Sequence, residues 1–240
     1  MTTHLQAAER RKALDEILAA ARIIPVLTIQ DAAHAVPLAH ALMAGGLRVL
    51  EITLRTPAAA AAAASIMRAV PEAVVGLGTV LSGRDLETAR NLGVSFALSP
   101  GSTPELLDAA ASINLPFVPG IATASELMAA LARGFDTVKF FPAVPAGGVA
   151  ALKALAGPFA DVRFCPTGGI AEGNLAEWLA LPNVASVGGS WLAPASDIEA
   201  GNWTAITRRA RQAVAQSSAA GSNSTAVSQS NSTPIKPPFS

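Results

Sequence analysis

Lys139 lies in the middle of an apolar run, "FDTVKFFPAVPAGG", and Glu51 lies in another, "VLEITLRT". Charged side chains lose hydration when buried, so each of these needs a partner or a chemical task. Successive side chains of a strand point to opposite faces. Glu51, Thr53 and Arg55 therefore share one face, and Leu50, Ile52 and Leu54 the other. By the same parity Lys139 points with Phe141, away from Val138 and Phe140. With the apolar set against covering helices, both charged residues point into a shared interior. Desolvation favours the neutral amine of a lysine, which can attack a carbonyl and form a Schiff base. Two plainer readings stand beside this one. Glu51 and Arg55 could form an ion pair at a strand end, or Lys139 and Glu51 a buried salt bridge without chemistry. Buried pairs are costly and gain little stability, which favours the nucleophile.

A second constellation lies further along. "CPTGGI" (165–170) and "VGGSW" (187–191) each follow an apolar run. Paired glycines let backbone N–H groups approach an anion closely, and a hydroxyl adds a donor. The loops Thr167, Gly168, Gly169 and Gly188, Gly189, Ser190 are thus candidates for holding a phosphate. Two tight turns are the alternative. Valine at Gly189 is expected to obstruct such an anion and to disfavour a positive φ there. "GLGTVL", "LSPG" and "VPGIAT" place Thr79, Ser99, Pro100 and Thr123 at other strand ends, where ordinary turn chemistry explains each of them singly. His4, His34 and His40 fall in the first two helices, so no metal cluster is expected. Cys165 reads as core.

These residues need a scaffold. Apolar or β-branched runs recur at 23–27, 49–53, 74–78, 96–99, 117–119, 137–141, 162–165 and 184–187. Between them lie stretches of helical period at 32–43, 57–69, 85–92, 104–112, 125–133, 149–156 and 174–181. A first helix carries Leu14, Ile17, Leu18 and Ala21 on one face. The seven alanines from Ala58 to Ala64 suit a helix, alanine being the best helix former. Strands alternating with helices imply a parallel sheet. Eight units in 240 residues favour a closed (β/α)8 TIM barrel with an extra N-terminal helix over an open doubly wound sheet. In such a barrel the active site lies at the C-terminal strand ends, and phosphate commonly sits after strands seven and eight.

The composition agrees. Hydrophobic residues make up 51% of the chain and charged ones 14%, enough for a large core or an apolar interface. A net charge of 0 and the absence of a basic cluster argue against nucleic acid as a partner. A single cysteine excludes an intrachain disulfide and suits a reducing cytoplasm. The first 20 residues lack a signal-type apolar core, and no unbroken apolar run reaches membrane-spanning length, so neither secretion nor a membrane is expected. One domain is expected over 1–215. The Ser/Asn/Thr/Pro-rich stretch 216–240 should be a disordered tail, and its two Asn-Ser-Thr triplets carry no meaning without a secretory signal.

"EITLRT", "GTVL", "SPG", "VKFFPA", "FCPTGGI" and "GGSW", in this order and spacing, closely resemble the 2-keto-3-deoxy-6-phosphogluconate (KDPG) aldolases, also described as 4-hydroxy-2-oxoglutarate (KHG) aldolases. The likeness runs from about Leu14 to Ala215. It implies a class I retro-aldol cleavage to pyruvate and glyceraldehyde 3-phosphate, with no metal or cofactor, in a homotrimer. Carried over, Lys139 would be the Schiff-base lysine and Glu51 the general acid/base. Arg55, Thr79, Pro100 and Phe141 would shape the pyruvyl pocket, with Arg55 and Thr79 nearest its carboxylate. Gly168, Gly169, Gly188, Gly189 and Ser190 would hold the phosphate. Two alternatives stay open: an aldolase for the galactonate epimer, and a non-catalytic phosphosugar-binding barrel in which Lys139 and Glu51 only pair.

Overall fold

A computed structural model describes residues 2–228. Nine parallel strand segments occur among these residues: β1 (Ile23–Leu27), β2 (Val49–Thr53), β3 (Val74–Gly78), β4 (Phe96–Leu98), β5 (Phe117–Val118), β6 (Gly120–Ile121), β7 (Thr137–Phe140), β8 (Arg163–Pro166) and β9 (Val187–Gly189). They form a curled α/β fold. A six-stranded sheet runs β5-β4-β3-β2-β1-β9, and a three-stranded sheet runs β6-β7-β8. β5 and β6 flank Pro119, which cannot donate to a ladder, so the fifth run expected at 117–119 ends at Val118 and a further segment follows it at Gly120–Ile121. Single bridges, Phe164 to Val184 and Thr167 to Gly188, tie β8 to the segment that ends in β9.

Ten α-helices accompany the strands among the described residues: α1 (Thr2–Ala19), α2 (Ala35–Ala44), α3 (Ala59–Ala69), α4 (Gly83–Leu92), α5 (Pro104–Ser112), α6 (Ala124–Leu131), α7 (Gly148–Ala156), α8 (Leu175–Leu179), α9 (Ala195–Glu199) and α10 (Trp203–Ser228). Local chemistry sets several starts close to the strand ends. Ser82 caps α4 by accepting from the Asp85 N–H, and Thr103 caps α5 with Pro104 in its first turn. Thr123 forms a capping box with Glu126 at α6. α10 runs 13 residues into the stretch expected to be disordered from Gln216. Extending a helix already packed on the sheet avoids the cost of a new nucleus, so Ser and Ala continue it. The remainder of the expected tail, 229–240, lies outside the described residues.

Parity sorts the side chains as the alternation requires. Leu50, Ile52, Leu77, Val138, Phe140, Phe164 and Val187 are buried in a large cluster with the helices. A second cluster joins Ile24, Val49, Phe96, Leu98, Val118 and Cys165 to Leu14, Leu18 and Ala21 of α1 and the residue pair after it. This places an apolar plug from the first helix under the opposite ends of the strands. Arg163 strengthens the seam by pairing with Asp15 and donating to the Thr137 hydroxyl.

Candidate active site

β7 presents Lys139 and β2 presents Glu51 to the same interior. The Nζ of Lys139 donates to Glu51 Oε1 at 2.9 Å, with the side chains 5% and 1% exposed. Two residues 88 positions apart thus make a buried, charge-assisted hydrogen bond. Glu51 does not take the alternative partner Arg55, which lies exposed beyond β2 and donates from Nε to Thr79 Oγ1 at 3.3 Å. Thr79 follows β3 with φ at 59°, a left-handed backbone that is an outlier for a β-branched residue. Strain of this kind costs about 1–3 kcal/mol and persists where the surroundings enforce it. Here it holds a hydroxyl at the mouth beside a guanidinium whose planar fork suits a carboxylate.

Phe141 links this pair to the glycine loops. Its ring centroid lies 5.7 Å from Lys139 Nζ. A Cβ on Gly168 would come within 3.3 Å of the same ring. The loops after β7 and β8 are zipped by backbone bonds from Ala143 N–H to Thr167 and from Val144 N–H to Gly168. Gly168 and Gly169 adopt φ of 103° and 77°, so their backbone requires glycine. Asn174 locks the loop by donating to the Gly169 carbonyl and accepting from the Ala171 N–H. Thr167 is buried, and its bridge to Gly188 brings the two candidate phosphate loops side by side.

Gly188 and Gly189 are required by crowding, not by the positive φ expected at Gly189. Neither has a positive φ. A Cβ on Gly188 would meet Thr167 Oγ1 at 2.2 Å, and one on Gly189 would fall inside the Trp191 ring at 1.6 Å. Valine at 189 would therefore collide with Trp191 before testing any anion. Ser190 is exposed beside them.

The remaining candidates divide. Pro100 is half-buried, and its backbone presses on Gly120, which pairs with Lys139 in register. Ser99 accepts from the Gly120 N–H and Thr123 caps α6, so both are structural. Thr53 donates to the Leu27 carbonyl and is likewise spent on the scaffold. Cys165 is the register partner of Lys139, but burial pushes its thiol up to about 12, which leaves it inert at neutral pH. No three His, Cys, Asp or Glu side chains come together as metal ligands among the described residues. Gly78, which sequence reading passes over, lies directly against Glu51.

The family model described as KDPG and KHG aldolase matches residues 14–209. The chain belongs to that aldolase family. Within it, the chain is 52% identical to a 2-dehydro-3-deoxy-phosphogluconate aldolase of Pseudoalteromonas atlantica, covering 80% of this chain and 90% of that relative. It is 51% identical to the KHG/KDPG aldolase of Escherichia coli, over 83% of this chain and 94% of that one. Solved structures of the family share the fold. KDPG aldolase from Legionella pneumophila, with pyruvate captured as a covalent carbinolamine, aligns with a TM-score of 0.80 at 46% identity, covering 82% of this chain and 96% of that one. The Zymomonas mobilis aldolase with 3-phosphoglycerate aligns with a TM-score of 0.78 at 46% identity, covering 83% and 93%.

Proposed function

We infer that this family member is a class I aldolase, a carbon–carbon lyase that reversibly cleaves KDPG to pyruvate and glyceraldehyde 3-phosphate. The observation that carries the reading is the buried hydrogen bond between Lys139 and Glu51. Cleavage of KHG to pyruvate and glyoxylate fits the same pocket. The Escherichia coli relative carries both names.

The geometry supports a sequence of balanced steps. Proton exchange along the 2.9 Å contact leaves Lys139 as a free amine and Glu51 as the acid. The amine adds to the C2 carbonyl while Glu51 protonates its oxygen. Glu51 takes back the surplus proton from the nitrogen and returns it to the carbinolamine hydroxyl, which leaves as water to give the iminium and the Glu51 carboxylate. With the C4 hydroxyl deprotonated by Glu51, the C3–C4 bond breaks. Its electron pair enters the iminium to form an enamine, and the aldehyde leaves. Protonation at C3 and hydrolysis then release pyruvate. Arg55 and Thr79 suit the pyruvyl carboxylate, Pro100 and Phe141 the walls beside it. The phosphate is assigned to Thr167, Gly168, Gly169, Gly188, Gly189 and Ser190, with no cofactor and no metal.

We further propose that the curled sheet closes as an eight-stranded (β/α)8 barrel, β5 and β6 counting as one strand interrupted by Pro119, within a single domain over 1–215. Leu81, Met128 and Val144 are exposed apolar side chains that a homotrimer could cover. No described helix is long and apolar enough to cross a membrane. A cytoplasmic location is proposed on composition alone.

The test is direct. Protein incubated with pyruvate and reduced with borohydride should gain one reduced pyruvyl adduct, and peptide mapping should place it on Lys139. An adduct on Lys153 of α7, or none, would sink the reading. The anion site has its own test in Ser190→Ala. Losing one hydrogen bond to a charged group costs about 1.5–3 kcal/mol, so KM for KDPG should rise roughly 10- to 150-fold. Cleavage of KHG, which has no phosphate, should barely change. Equal losses on both substrates would remove Ser190 from the phosphate site.

A further inference from the structure

We propose that Gly78 is a positioning residue for the reaction: its missing side chain is the space in which Glu51 reaches Lys139. This rests on the aldolase reading of the pair and extends it to a third strand. Gly78 ends β3, pairs with Thr53 of β2 and points into the interior. A Cβ built on it would stand 2.0 Å from Glu51 Oε1 and 2.7 Å from both Cδ and Cγ. All three nearest atoms belong to Glu51, and Oε1 is the atom that accepts from Lys139.

Two other inward glycines show why this one differs. A Cβ on Gly76 would enter the Phe96 ring, and one on Gly120 would strike the main chain of Pro100 and Gly101 at 2.3–2.5 Å. Those glycines serve packing. At Gly78 the obstacle is the Glu51 side chain from Cγ outward, with no backbone or ring atom among the three nearest, so alanine acts on that side chain first. The φ of Gly78 is not positive, so alanine meets no backbone penalty of that kind. The carboxylate must withdraw from 2.0 Å to at least 3.0 Å from the new methyl, the closest approach real Cβ atoms show. The 2.9 Å bond to Lys139 does not survive that movement in its present geometry. A displacement of about 1 Å at a reacting group can cost on the order of 10²-fold in rate.

The experiment compares wild type, Gly78→Ala, Glu51→Gln and the double variant in KDPG cleavage and in borohydride trapping of pyruvate. Gly78→Ala should lower kcat by about 10²-fold with KM changed far less. In the Glu51→Gln background the same alanine should cause no comparable further loss, because it acts through Glu51. Full activity in Gly78→Ala, or losses that multiply in the double variant, would overturn the role. Should Gly78→Ala fail to fold, Gly78→Ala combined with Glu51→Ala is compared with Glu51→Ala alone: equal folding of the two supports the conflict with Glu51, and failure of the double variant where Glu51→Ala folds overturns it. Wild-type protein that traps no pyruvate would overturn the aldolase reading and this role together. Trapping by wild type with undiminished Gly78→Ala would overturn only the latter.

Discussion

Replacing Lys139 with methionine should abolish both KDPG cleavage and the borohydride-trapped adduct, while the substrate still binds. Methionine keeps the length and apolar stem of the lysine but cannot form an imine, so no electron sink remains for the C3–C4 bond. The variant should also be less stable. Glu51 is 1% exposed, and removing its cation leaves an uncompensated buried charge, a loss of about 3–5 kcal/mol for such pairs. Thermal unfolding alongside a coupled pyruvate assay reads both effects. Residual turnover near wild type would exclude Lys139 as the nucleophile. A variant as stable as wild type would mean that Glu51 finds another partner.

Glu51→Gln should lower turnover by roughly 10²–10⁴-fold, the usual range for a lost general acid/base. Glutamine retains an oxygen that can accept from Lys139, so shape and one hydrogen bond persist while proton transfer does not. Trapping of pyruvate should slow with cleavage, since carbinolamine formation and dehydration need the same proton. Activity within a few-fold of wild type would reduce Glu51 to a structural partner. Measuring the unfolding midpoint in parallel separates a loss of chemistry from a loss of folded protein.

The parity of Lys139 and Glu51 was legible because a strand's period of two leaves no freedom once the apolar side is known. Their meeting across 88 residues was legible only through the closed barrel that the repeating pattern suggested. Other features depend on neighbours far along the chain. β9 begins at Val187, where the eighth apolar run ends, because its glycines pair with Ile24 and Pro25 of β1, and strand propensity does not report pairing. Glycine pairs look alike in sequence. Gly168 and Gly169 are needed for positive φ, whereas Gly188 and Gly189 make room for Thr167 and Trp191. The five-residue α9 is too short for a periodic signal. Gly78 carries no local mark at all, since its importance lies in the volume that Glu51 occupies.

The apolar plug formed by Leu14, Leu18 and Ala21 has a kinetic consequence. Substrate and both products are therefore expected to pass through the mouth at the other end, where the proposed site lies. On the proposed assignment of the site, the fragment joined to Lys139 is the deeper one and the phosphorylated aldehyde the outer one. Release should then be ordered, the aldehyde departing first and water reaching the imine only after that exit; product-inhibition patterns check this. In the synthetic direction the order inverts. Pyruvate must bind before the aldehyde, and an aldehyde that arrives early blocks the door.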